Sequence, residues 1–182
     1  MRKKYFLLFA VVALAVTAAL AAMNPKVGGK EMYPTKNIIE NAVNSADHTT
    51  LVAAVKAAGL VETLEGPGPF TVFAPTNEAF NKLPAGTVDT LLKPENKATL
   101  TKVLTYHVVA GKWGAAELKK KIKQGNGNAE LTTVEGGKLW AFLQDGNIML
   151  KDEKGGTATV TIANVFQSNG VIHVIDSVVM PN

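Results

Sequence analysis

The sequence predicts an α+β fold, with helices first and an antiparallel meander second. Three observations carry that expectation. Apolar residues recur at helical spacing through much of residues 35–104, tight-turn signals recur about every ten residues after Glu130, and neither strand–helix–strand alternation nor an internal repeat occurs.

Each element has its own signal. Ile38, Ile39, Ala42 and Val43 fall on one face of a helix beginning near Thr35. A second helix has Asp47 as its expected N-cap, Leu51, Val52, Val55 and Ala58 on one face, and Gly59 as its stop. Gly66-Pro67-Gly68-Pro69 breaks the chain. Phe70–Phe73 is a β-rich run ended by Pro75, after which Thr76 caps a short helix over Asn77–Leu83. Pro84 starts a further helical turn through Leu92, and Pro94 suits the first position of a third long helix with Leu100, Val103 and Leu104 inward. Thr105–Val109 reads as a strand and Ala115–Gln124 as a polar, lysine-rich helix. Gly136-Gly137, Asp145-Gly146 and Gly155-Gly156 then separate strands at Leu131–Val134, Leu139–Leu143, Ile148–Leu150 and Thr157–Phe166. A turn at Asn169-Gly170 leads into the last strand, Val171–Val179.

The front of the chain is different in kind. Met1-Arg2-Lys3-Lys4 is basic, Tyr5–Ala22 is uncharged and apolar, and Ala19, Ala21 and Ala22 form a small-residue exit. These are the three parts of a secretory signal peptide. The apolar stretch, about 18 residues, also reaches the lower limit of a membrane span, so an uncleaved anchor is the alternative. The expected organisation is a signal peptide over residues 1–22, a linker over 23–34 and one domain over 35–182, placed in the periplasm or outside the cell. With the signal removed, no membrane span is expected, and a monomer is expected.

Charge and cysteine content exclude several classes. The formal net charge is +4, from 19 basic and 15 acidic side chains. Arg2, Lys3 and Lys4 supply three of those basic groups, leaving 16 against 15 in the remainder. Arg2 is the sole arginine, so the clustered cations of a nucleic-acid partner are missing. The absence of cysteine removes thiol nucleophiles, zinc–thiolate sites and disulfides.

Two segments stand out. Phe70-Thr71-Val72-Phe73-Ala74-Pro75-Thr76-Asn77-Glu78-Ala79-Phe80 joins a strand to a capped helix, and Asn169-Gly170-Val171-Ile172-His173-Val174-Ile175-Asp176 closes the chain, with Thr105-Tyr106-His107 between them. In this order and spacing they resemble the two signature boxes and the central Tyr-His pair of the fasciclin domain, over about residues 35–181. The resemblance implies a wedge of two small, mainly antiparallel sheets with flanking helices. It also implies a role in adhesion or extracellular recognition, without a catalytic mechanism common to the family. Animal adhesion members often carry Asp-Ile a few residues before the final strand, and Asn164-Val165 holds that place here. The carboxylate is missing and no Arg-Gly-Asp occurs, so integrin-type recognition is not expected.

On the same resemblance, Asn164, Val165 and Phe166, together with Tyr106 and His107, are the expected binding residues. Strand alternation from Thr157 puts Asn164 and Phe166 on the face of Val160 and Ile162 and Val165 on the other, beside an edge that is free to pair. The alternative is that Val165 and Phe166 are both core.

The catalytic inventory is thin. His107 and His173 sit in apolar runs without a carboxylate or second histidine at ligand spacing, and are expected to be buried and hydrogen-bonded; His48 is expected to face solvent. Ser45, Ser168 and Ser177 lie in no Gly-x-Ser-x-Gly elbow, and on a strand His173 and Asp176 point to opposite faces. Gly125-Asn126-Gly127-Asn128 follows a helix and lacks the lysine of a phosphate loop. Lys119, Lys120, Lys121 and Lys123 read as a solvated helix face. Trp140, alternating with Phe142, is expected in the core, and Trp113 partly exposed.

No catalytic residue, metal or cofactor is therefore expected. The reading is an exported module that binds a protein, a matrix or a surface glycan. A periplasmic carrier of a small apolar ligand is the alternative, followed by a hydrolase of unknown class.

Overall fold

The computed structural model describes residues 23–182, so the signal-segment reading of residues 1–22 lies outside the described residues. Among the described residues seven α-helices and seven strands follow in chain order: α1 (Ile38–Ala42), α2 (Thr49–Ala58), α3 (Val61–Glu65), β1 (Phe70–Pro75), α4 (Asn77–Asn81), α5 (Thr87–Leu91), α6 (Lys97–Tyr106), β2 (Val108–Ala110), α7 (Ala115–Gln124), β3 (Asn128–Thr132), β4 (Lys138–Gln144), β5 (Asn147–Lys151), β6 (Thr157–Gln167) and β7 (Gly170–Ile175).

Helix boundaries follow local chemistry. A capping box starts α1: the Asn37 side chain accepts from the Glu40 N–H, and the Glu40 carboxylate accepts from the Asn37 N–H. Asp47 is not the cap of α2; it lies in a 3₁₀ turn, Ala46–His48, and His48 precedes the helix without capping it. Gly59 ends α2 in the left-handed conformation. Pro94 likewise opens a 3₁₀ turn, and α6 begins at Lys97. That helix continues through Tyr106, so the strand expected from Thr105 is only β2, and His107 is the helix's C-cap.

The strands form one mixed sheet in the order β2-β1-β7-β6-β5-β4-β3. Every pairing is antiparallel except β1 with β7, which run parallel in the register Val72↔Ile172 and Phe73↔His173. A bridge between Val109 and Thr133, with the Val134 N–H donating to the Val108 carbonyl, brings the two ends of the sheet together into a nearly closed barrel. The two separate sheets of the expected wedge are thus joined. The cause is the length of β6, which pairs β5 through Thr157–Thr159 and β7 from Val160 to Gln167, bending at two register shifts.

Apolar side chains divide between two cores. One lies under α1, α2, α3 and α6 and takes Val72, Ala74, Val165, Ile172 and Val174 from the sheet. The other fills the barrel with Phe73, Tyr106, Leu139, Leu150 and Ile175, and α7 adds Leu118 and Ile122 to it. Strand β7 is buried at all six positions, which explains its unbroken apolar run. The segment read as a linker packs onto this unit, with Val27 and Met32 buried among the helices' apolar side chains.

Two further placements differ from expectation. Trp140 and Phe142 lie on the outward face of β4 and are half-buried, while Leu139 and Ala141 point into the barrel. His48 is buried, its Nε2–H donating to the Ala74 carbonyl (3.4 Å) and its Nδ1 accepting from the Ser45 hydroxyl (2.8 Å).

Candidate functional site

Tyr106 and His107 are interior residues. The Tyr106 hydroxyl donates to the Lys138 carbonyl and accepts from the Glu153 N–H, tying α6 to β4 and to the turn after β5. Burial, followed by the neighbouring carboxylates, pushes its pKa up to about 12. His107 donates from Nδ1 to the Val103 carbonyl (2.8 Å) and accepts at Nε2 from the Val179 N–H (3.2 Å). Burial lowers its pKa to about 4, so the ring is neutral at physiological pH. Neither residue offers a surface to a partner, which corrects their expected role as contacts.

The bulge in β6 breaks the expected alternation. Asn164 adopts a left-handed φ of 61°, and Val165 turns inward to 1% exposure beside Ile172. Val165 is therefore core, and cannot be the exposed contact that strand parity suggested. Asn164 and Phe166 remain half-buried. The edge beside Phe166 is occupied as well: the Asn24 side chain donates to the Phe166 carbonyl and accepts from its N–H.

Across from this bulge lies the loop 111–114. Gly114, at the N-cap of α7, has no side chain to cap with, and the Asn164 Oδ1 accepts from the Ala115 N–H instead (2.7 Å). His173 holds the two segments together. Its Nε2–H donates to the Trp113 carbonyl (2.7 Å), its Nδ1 accepts from the Asn164 N–H (3.4 Å), and its ring stacks on Phe73. Burial lowers its pKa, against the opposing pull of the Trp113 carbonyl. The Thr71 hydroxyl completes the frame by donating to the Gly111 carbonyl and accepting from the Trp113 N–H.

What this frame presents outward is a pair of rings with cations over them. The Lys112 ammonium sits 5.1 Å from the Phe166 ring centre, and the Lys121 ammonium 5.0 Å from that of Trp113. Trp113 is half-buried, as expected for a residue in that connector. All three histidines have both ring nitrogens engaged, so His173 is not available to Ser177, whose hydroxyl instead donates to Asp176. Among the described residues no three His, Asp or Glu side chains converge as a metal site requires.

The signature boxes implied strands with helices along one side, and both are present, although one nearly closed mixed sheet stands in place of the two-sheet wedge. The sequence model of the fasciclin domain matches residues 46–181, most of the chain. The chain belongs to the fasciclin domain family. Among its relatives, protein sll1483 of Synechocystis is 44% identical over 94% of this chain and 96% of its own length. Immunogenic protein MPB70 of Mycobacterium bovis is 37% identical over 90% of this chain and 79% of its own length. The fold agrees with a FAS1 domain pair from the insect cell adhesion molecule Fasciclin I, at a TM-score of 0.69 and 18% identity. That match covers 79% of this chain and half of the insect chain. Fasciclin domains are generally not enzymes, and none of these relatives has an enzyme's name.

Of the five expected binding residues, this fasciclin domain brings only Asn164 and Phe166 to the surface together. Lys112, Lys121 and the frame residues Thr71 and Asn24 were not foreseen as neighbours of that place. The sequence signal that existed was Trp113 flanked by Gly111, Lys112 and Gly114, an aromatic in a loop with little apolar company.

Proposed function

We propose that the chain is an exported fasciclin module that recognises a surface partner, a protein or a glycan of the envelope or matrix, without chemistry. Its contact face is the pair Trp113 and Phe166 with Lys112, Lys121 and Asn164. The observation that carries this reading is the fixed aromatic–lysine face itself: half-buried rings on backbone segments held by part-buried hydrogen bonds suit binding, since little ordering is required on contact. Export rests on the basic, apolar and small-residue parts of residues 1–22, and N-terminal sequencing of exported protein should start near Ala22 or Met23.

The test is affinity capture with the mature protein against envelope proteins and a glycan panel, beside the double variant Lys112→Glu, Phe166→Ala. Lys112 is exposed and Phe166 is half-buried outside both cores, so the variant should still fold cooperatively, as its melting curve checks, and lose its partner. Equal capture by both proteins would remove the face from consideration.

One observation favours a second reading, a carrier of a small apolar ligand. A cavity of about 70 Å³ lies between α1, α2, α3 and the sheet, bounded by carbon atoms of Met32, Ile38, Leu51, Val55 and Ile172. Ligand sites usually reach roughly 300–1,000 Å³, so a carrier role requires α1 or residues 27–32 to move aside. Solvent extraction of natively purified protein, followed by mass spectrometry, decides between an apolar passenger at stoichiometric yield and none.

A further inference from the structure

The outward face of β3, β4 and β5 carries a second surface, independent of the recognition face. Strand register aligns Glu130, Trp140 and Lys151 in one row and Asn128, Phe142 and Met149 in the next. Direct cross-strand neighbours stand about 5 Å apart, so the rows form one continuous patch. Ala129, Leu131, Leu139, Ala141, Ile148 and Leu150 on the other face are buried with α7 in the barrel, and among the described residues no element covers the outer one.

A trough of about 480 Å³ opens along Trp140, lined also by Asn128, Lys151, Glu153 and Lys154. That volume lies within the usual range for a small-molecule site. Its charges cancel, with Lys151 and Lys154 balanced by Asp152 and Glu153. The acids are moreover already engaged. Asp152 accepts from the N–H groups of Lys154, Gly156 and Met180, and Glu153 from those of Lys138 and Asn182. The uncommitted polar groups are therefore the Asn128 amide, which both donates and accepts, and two ammonium donors, beside a broad indole. A ligand matched to this has one flat apolar face, a rim of acceptor oxygens and no net charge. A pyranose ring has that form: its C–H face is apolar and its hydroxyls lie at the rim. An anionic ligand would gain little from a neutral site.

We propose that this trough binds an uncharged glycan, with a sugar ring stacked on Trp140 and its hydroxyl oxygens accepting from Asn128, Lys151 and Lys154. The test uses the mature protein and two probes with flat, equatorially linked rings, cellotetraose and chitotetraose, in isothermal titration. At least one should bind saturably, and Trp140→Ala and Asn128→Ala should each weaken it, the former by about tenfold or more, as stacking losses of this kind imply. Absence of saturation at about 10 mM for both probes, about ten times the concentration that half-fills a millimolar site, overturns the proposal. So does binding that neither substitution alters. Should Trp140→Ala unfold, the indole N–H resonances of the unaltered protein decide: a Trp140 shift on titration supports the site, and a shift of Trp113 alone removes it.

Discussion

Acid should unfold this domain through its histidines before its carboxylates, and the size of the effect can be worked out for His107. The ring is buried, with both nitrogens committed to the Val103 carbonyl and the Val179 N–H. Its folded pKa of about 4 lies below the ordinary 6.5, so the unfolded chain takes up the proton first. Stability from this group is therefore complete above about pH 6.5 and is lost as pH falls from there towards about 4. A gap of roughly 2.5 pKa units corresponds to about 3 kcal/mol in all, of which about 2 kcal/mol should be gone by about pH 5. His48 and His173, lowered by burial too, act in the same direction. Glu130, Glu153 and Asp176, all lowered, lose their contributions only on further acidification, which leaves the upper window to the histidines. Urea denaturation followed by circular dichroism between about pH 7.5 and 5 measures this directly. The substitution His107→Gln removes the titration, so the variant should be weaker at neutral pH but lose about 2 kcal/mol less on acidification. Identical pH slopes for the two proteins would refute the reasoning.

Other substitutions test other parts of the structure. Asn169→Ala removes a side chain that accepts from the Ile38 N–H and donates to the Leu64 and Gly66 carbonyls, and should cost about 3 kcal/mol by calorimetry; a loss below about 1 kcal/mol would mean that these groups find other partners. Val165→Asp places a carboxylate in the helical core and should abolish cooperative melting or lower Tm steeply; an unchanged Tm would contradict the inward turn of the bulge. Gly170→Ala puts a methyl group onto the Phe70 carbonyl oxygen, forcing β1 from β7. Faster amide exchange through Thr71–Phe73 should follow, and unchanged exchange would show that the strands absorb the methyl.

Much of the fold was legible because its signals are local. The cap of α4, the glycine stop of α2 and the turns of the meander each occupy a few adjacent residues. The continuous apolar run of β7 announced a strand, and the structure accounts for the run by burying it on both faces. What was not legible depends on distant partners or on parity. Asn169 reads as a turn residue, yet its three partners lie more than a hundred positions away. Alternation places Trp140 with Phe142 but does not say whether that set or Leu139 with Ala141 faces inward, because a shift of one residue exchanges the faces. At Asn164 the alternation itself fails, since a bulge inserts a residue that parity cannot anticipate. The candidate site suffered most, for it combines that bulge with a loop about fifty residues earlier in the chain.

The Tyr-His pair explains how one interior supports two separate surfaces. Tyr106 points into the barrel, where its hydroxyl fixes Lys138 and Glu153 beside the trough along Trp140. His107, the next residue, fixes the C-terminal segment at Val179. His173 performs the equivalent task for the proposed recognition face, joining Trp113 to Asn164 from β7. Each proposed face is thus set by hydrogen bonds to backbone atoms, while its outer side chains project from that backbone. The exposed Lys112 lies off the frame and the half-buried Phe166 and Trp140 lie outside both cores, whereas a change in Tyr106, His107 or His173 disturbs the frame first and any contact second. In a fasciclin domain built this way, the signature residues Tyr106, His107 and His173 hold the scaffold, and the proposed contacts lie in the residues around them.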